Sequence, residues 1–174
     1  MKLYLLVLAT CVVWTAASGS AALAQTPSLQ GNYVLDLQAS DDVAKAIDGV
    51  VARMPIWKRP FARFRLSRTA EPPQRITISQ SSAEIGITMD SNPPTRSPAD
   101  GTVVDWITPA GEKMRVSTTW EAGRLKRIFE ANDGRRVDTF SVNPAGDMLI
   151  LDVVISGPEL PLPLAYKVVF RRRP

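Results

Sequence analysis

The sequence predicts a mainly β protein: an antiparallel meander closed as a barrel of eight to ten strands, with one helical excursion near the N-terminus. Three observations carry that expectation. From Arg75 onwards, short runs of alternating apolar and polar residues follow one another at the spacing of consecutive hairpins. Turn-forming residues separate those runs, as in Pro109-Ala110-Gly111, Ala122-Gly123, Asn132-Asp133-Gly134 and Pro144-Ala145-Gly146. Clear 3.6-residue periodicity is confined to a stretch following Ser40.

The N-terminus has the form of an export signal. Lys2 precedes an uncharged apolar stretch from Leu3 to about Ala17, and small residues then lead to Ala22-Leu23-Ala24 before Gln25. Cleavage after Ala24 is expected, giving a signal peptide over 1–24, a single barrel domain over 25–174, and a periplasmic or extracellular location. An uncleaved anchor is disfavoured because the second half of the stretch is Ala, Ser and Gly rather than Leu and Ile. A lipid-modified Cys11 is disfavoured by Thr10 before it. No further transmembrane segment is expected, and the barrel is expected as a monomer.

In Gly31 to Leu37, Tyr33, Leu35 and Leu37 share one face, which predicts a half-buried strand. A helix follows, with Ser40 as N-cap, Asp41 and Asp42 in the positive first turn, and Val43, Ile47, Val50, Val51 and Met54 on one stripe before Pro55. Pro60 opens a second short helical turn, unless Phe64 and Leu66 already belong to a strand. Further strands are predicted over 75–80, 84–90, 102–108, 112–120, 124–131, 135–142, 147–156 and 164–172. The stretches Ser91 to Gly101 and Pro158 to Pro163 are expected as surface loops.

Composition narrows the chemistry. The chain has no histidine and one cysteine, Cys11, which leaves with the signal, so the commonest neutral-pH nucleophile, general base and metal ligand are all missing. No disulfide is possible, and stability must come from the core. The 21 basic and 17 acidic residues give a net charge of +4. Only Lys2 is charged before Gln25, so the remainder is mildly basic, too little to argue for a nucleic-acid partner. No nucleophile elbow, glycine-rich phosphate loop or metal-ligand spacing is present, so no catalytic residue, metal or cofactor is assigned, and the sequence leans away from an enzyme. A pair of aspartates doing acid/base work is the remaining catalytic option, but most of the aspartates sit at turns.

Closure into a barrel removes the free edges that so many hairpins would otherwise expose. A first strand, a helical excursion and a long meander resemble the calycin barrels, the lipocalins and fatty-acid-binding proteins, with Gly31-Asn32-Tyr33 where lipocalins carry a Gly-x-Trp start. Trp120 to Leu125, Asn132 to Arg135, Asn143 to Leu149 and Tyr166 to Arg171 are similar to the hairpin series of uncharacterised secreted bacterial lipocalin-like proteins. The resemblance implies a barrel around an apolar or amphipathic ligand and brings no reaction with it. A β-sandwich is the structural alternative.

Two sets of candidate residues follow. Arg127 shares parity with Leu125 and Phe129, so an inward guanidinium would need a carboxylate, a phosphate or several acceptors: a ligand, or Asp105, Glu130 or Asp138; if the other face is the buried one, Arg127 is simply exposed. With Tyr33, Trp106, Trp120, Phe129 and Tyr166 it forms the predicted ligand-binding set. Asp105, between Val103 and Ile107 with Val104 and Trp106 opposite, is either a solvated strand-margin residue or a polar partner in a strand covered on both faces. Between Asp48 and Glu71 there is no acid, while Trp57, Lys58, Arg59, Arg63 and Arg65 cluster with Phe61, Phe64 and Arg68. That segment, 57–68, would suit an anionic envelope polymer, lipid surface or protein partner; otherwise its charges are solvated around core aromatics.

Overall fold

The computed structural model describes residues 28–108 and 111–173, so the export segment 1–24 lies outside the described residues. Ten strands form one antiparallel sheet: β1 (Gly31–Leu35), β2 (Arg75–Gln80), β3 (Ile85–Met89), β4 (Thr95–Ser97), β5 (Val104–Ile107), β6 (Lys113–Glu121), β7 (Arg124–Ala131), β8 (Gly134–Val142), β9 (Met148–Ser156) and β10 (Leu164–Arg173). Helices α1 (Val43–Val51) and α2 (Arg59–Ala70), joined through a 3-10 turn at Ile56–Lys58, fill the β1–β2 connection. The strand order is β4-β3-β2-β1-β10-β9-β8-β7-β6-β5, a meander whose first strand pairs with its last. One sheet curling on itself excludes the sandwich.

The barrel is nearly closed. Strands β4 and β5 end the ladder and do not pair with each other. The seam is crossed instead by a bridge between Asp100 and Thr119 and by the Gly101 amide donating to the Thr118 carbonyl at 2.9 Å. In a meander alternate connections lie at the same end, so the helices cover the end that also carries the β3–β4, β5–β6, β7–β8 and β9–β10 connections.

The core joins Tyr33, Ile76, Ile78, Phe140, Leu149, Leu151 and Phe170 of the barrel to Ile47, Val50, Val51, Met54, Leu66 and Ala70 of the helices. Burying each large apolar side chain contributes about 1.5–3 kcal/mol, so the helical cap is held chiefly by its apolar face.

Local details correct several expectations. Asp42, not Ser40, caps α1: its Oδ1 accepts from the Lys45 amide at 3.0 Å. The Ser40 hydroxyl instead donates to the Asp36 carbonyl and accepts from the Val169 amide, tying the chain to β10. Strand β1 stops at Leu35, and Leu37 is exposed. Residues 59–70 are helical, with Pro60 in the first turn, where its missing N–H leaves no bond unmade; Phe64 and Leu66 are not in a strand. β4 lies within the stretch expected to be a loop. Strand β5 is covered on one face only: Ile107 and Asp105 face solvent while Val104 and Trp106 are half-buried. At the β6–β7 turn Ala122 and Gly123 both take the positive φ of a primed hairpin turn. Gly134, by contrast, starts β8 with an ordinary φ.

Candidate ligand-binding site

A chamber of about 260 Å3 lies inside the barrel between β3, β5, β6, β7, β8 and the C-terminal turn of α2. Its apolar walls include Ile87, Met89, Trp106, Met114 and Phe129, with the Trp106 and Phe129 rings 5.8 Å apart at 59°. Strand alternation turns these side chains inward, and the same parity brings three charged groups in: Arg127 on β7, and Arg136 and Asp138 on β8.

The Arg127 side chain is fully buried, with each guanidinium nitrogen already engaged. Nε donates to Thr118 Oγ1 at 3.0 Å, Nη1 to the Thr95 carbonyl at 3.1 Å, and Nη2 to the Ile85 carbonyl at 3.0 Å and Ser97 Oγ at 3.3 Å. The Ser97 and Thr118 hydroxyls also bond each other at 2.6 Å. Burial pulls the Arg127 pKa down to about 10, against the opposing pull of Asp138, which sits directly across the β7–β8 ladder. The group is still a cation at neutral pH. Its bonds run from β7 to β3, β4 and β6, so it rivets the unpaired seam.

Arg136 and Asp138 form the second polar unit. Arg136 Nε donates to Asp138 Oδ1 at 2.7 Å, and Nη1 donates to the Thr69 carbonyl at the end of α2, 2.9 Å away. Burial works against the Arg136 charge, but the Asp138 carboxylate, Tyr166 and the hydrogen bond outweigh it and raise its pKa. Tyr166 donates to the Ala70 carbonyl at 3.0 Å, fastening β10 to the same helix end. Burial pushes its hydroxyl up to about 12, with Arg136 opposing and Asp138 reinforcing. Asp138 has no exposed surface, and its Oδ2 has no hydrogen-bond partner among the described residues.

A mouth of about 480 Å3 lies beneath α2, bounded by Met54, Trp57, Phe61, Leu66, Ile155 and Leu160. It shares Thr69, Glu112, Met114 and Arg136 with the chamber, so the two adjoin. Ion pairs span this opening: Lys58 with Glu159 at 3.0 Å, and Arg65 with Asp133. A broader, more open hollow of about 700 Å3 is lined by the charged Asp105, Lys113, Arg115, Glu130 and Arg135 together with Met114, Ala131 and Pro158.

The structure thus separates the residues chosen from sequence. Arg127, Trp106 and Phe129 line the chamber. Tyr33 and Trp120 do not: the Tyr33 hydroxyl donates to the Leu29 carbonyl at 2.9 Å under the Arg172 guanidinium, and Trp120 packs against the core. Tyr166 borders the charged pair without facing the chamber. Met114, Arg136 and Asp138 belong to the chamber but not to that set. Their signal was parity: Arg136 and Asp138 lie four and two residues before Phe140, which is fully buried.

The basic segment is also rearranged. Its aromatics are not core: Trp57 is 77% exposed, Phe61 69% and Phe64 63%, with Ile56 beside them at 77%. Its cations are largely engaged. Lys58 and Arg65 make the ion pairs across the mouth, Arg63 pairs with Asp48 of α1 at 2.8 Å, and Arg59 donates to the Ala52 and Met54 carbonyls beyond the end of α1. Among the described residues there is no group of three acidic, His or Cys side chains that could hold a metal, and no helix long and apolar enough to cross a membrane.

No family model matches the chain, and no curated protein matches it by sequence. Solved structures do match. Human cRBP IV superposes with a TM-score of 0.57 at 18% identity, over 84% of this chain and 99% of that one. The REP1-NXSQ fatty acid transporter gives 0.52 at 11% identity, over 84% of this chain and 96% of its own. At such identity the likeness shows the fold, a calycin-like barrel with a helical segment.

Proposed function

We propose that this protein is an exported, non-catalytic carrier or sequestering barrel that holds one small apolar or amphipathic molecule in the chamber, loaded through the mouth beneath α2. The observation that carries the reading is the apolar chamber walled by Ile87, Trp106, Met114 and Phe129, adjoining a hollow that opens to solvent. The names of two structures sharing the fold, a cRBP and a fatty acid transporter, agree with it. In this reading Arg127 holds the barrel shut and stands at the chamber wall, and no cofactor, metal or nucleic acid takes part. The test is mass spectrometry of the purified protein before and after organic extraction, with uptake of a fluorescent apolar probe. A stoichiometric co-purified lipid-like compound, or saturable uptake lost in Met114→Trp, is expected; empty protein that takes up no probe overturns the reading. The mass of the mature chain tests export, since cleavage after Ala24 leaves Gln25 first.

A second role rests on the exposed Trp57 and Phe61 at the rim of the mouth, with Ile56 and Phe64 also exposed on the same segment. Such side chains beside basic groups suit brief docking on an anionic envelope surface, where the guest would be collected or delivered. Binding to anionic vesicles should weaken steeply with salt and fall in Trp57→Ser/Phe61→Ser. Equal binding by that variant removes this role.

A further inference from the structure

Among the described residues one buried side-chain polar atom is left unserved by the protein, and it bears on the head group of the guest. Asp138 is among the residues lining the chamber; its Oδ2 is wholly buried and receives no hydrogen bond from any described residue, while Oδ1 is held by Arg136 Nε at 2.7 Å. A buried carboxylate oxygen without a donor is costly, and a donor on a guest seated against Asp138 would relieve that cost.

We infer that the guest is an apolar alcohol whose hydroxyl donates to Asp138 Oδ2. This inference rests on the binding-barrel reading above and assigns the chemistry of its ligand. A carboxylate head is the poorer fit. It brings a second anion against Asp138; of the two cations lining the chamber, Arg127 has all three nitrogens committed to Thr118, Thr95, Ile85 and Ser97, and Arg136 is already paired with Asp138. An ammonium head would bring a third cation beside Arg127 and Arg136. A hydroxyl is neutral, donates to Oδ2, and keeps lone pairs for the neighbouring Arg136 guanidinium.

The test is competition for a bound fluorescent probe, 1-aminoanthracene, at neutral pH by three chains of matched size: 1-decanol, its donor-less isomer 1-methoxynonane, and decanoate. Decanol is expected to displace the probe at roughly tenfold lower concentration than either of the others, the effect of one charge-assisted hydrogen bond. In Asp138→Asn, the carbonyl oxygen stays with Arg136 and the amide turns a donor into the chamber, which an ether or a carboxylate oxygen can meet as well as a hydroxyl, so decanol should lose its advantage over both. Probe binding with no preference for decanol, or with decanoate preferred, overturns the alcohol assignment and leaves the binding barrel standing. Failure of the probe and all three chains to bind overturns the binding barrel itself. The wild-type comparison decides even where the variant does not fold.

Discussion

The two halves of the barrel interior are built differently. On the side of β1, β2, β9 and β10, Tyr33, Ile76, Leu149, Leu151 and Phe170 pack against the apolar faces of α1 and α2 with nothing between them. On the side of β5 to β8, the inward positions hold Trp106, Met114 and Phe129 around a space of about 260 Å3, together with Arg127, Arg136 and Asp138. The first half provides cohesion through apolar burial and the second forgoes some of it, which suits a fold that must stay rigid around a hole. Polar bonding replaces part of what packing gives up: the two arginines reach strands and a helix end that the ladder does not join.

That contrast can be broken by truncation. Phe170→Ala in the dense half should cost about 3–5 kcal/mol in urea unfolding, whereas Met114→Ala beside the chamber should cost roughly 1 kcal/mol, since it enlarges a space already present. Equal losses would mean that the two halves are packed alike. Removing the rivet comes next. Arg127→Leu leaves the Thr95 and Ile85 carbonyls without their donor and should cost about 3 kcal/mol, with amide exchange quickened in β3 and β4 first. A stable variant with unchanged exchange would deny the seam role.

The polar half should also show in alkaline titration. The Tyr166 hydroxyl, held at about 12 by burial, keeps its proton in the folded chain above the ordinary value of 10.0. The unfolded chain loses that proton first, so this contribution to stability is complete below pH 10 and is lost as pH rises to about 12. Arg127 acts in the opposite sense: depressed to about 10 from 12.5, it sheds its proton earlier when folded and recovers stability over the same range. Tyr166→Phe isolates the first effect. The wild type should lose on the order of 2 kcal/mol relative to this variant between pH 10 and 12, measured by urea unfolding at each pH. Parallel curves would place the hydroxyl in water. The smallest effect belongs to the exposed ion pair at the mouth: Lys58→Ala should change stability by less than about 0.5 kcal/mol while speeding probe uptake. Unchanged uptake would mean that this pair does not restrain the opening.

Much of the cohesive half was legible in the sequence, because its strands alternate cleanly and its helix carries a full apolar stripe. The inward turn of Arg127 was legible too, from its parity with Leu125 and Phe129. Strand β4 was not. Thr95, Arg96 and Ser97 are polar and too few for a period, and what makes them a strand is pairing with β3 and the Arg127 bonds. The helix α2 misleads for a different reason. It buries its small and aliphatic residues Ala62, Leu66 and Ala70, spaced by four, and turns its aromatics outward, against the usual partition by size and polarity. Only the spacing pointed the right way. Asp138 and Arg136 required knowing that Phe140 faces inward, which the mixed burial of β8 conceals.

The Arg127 rivet bears on how the chain folds. Its acceptors lie 9, 30, 32 and 42 residues away, on three other strands. No local segment can satisfy the guanidinium, and a barrel closed everywhere except at the seam would trap a desolvated cation without partners. Half-assembled states are thereby penalised, and the last strands should join in one cooperative step, with a single folding phase in which seam and ladder form together.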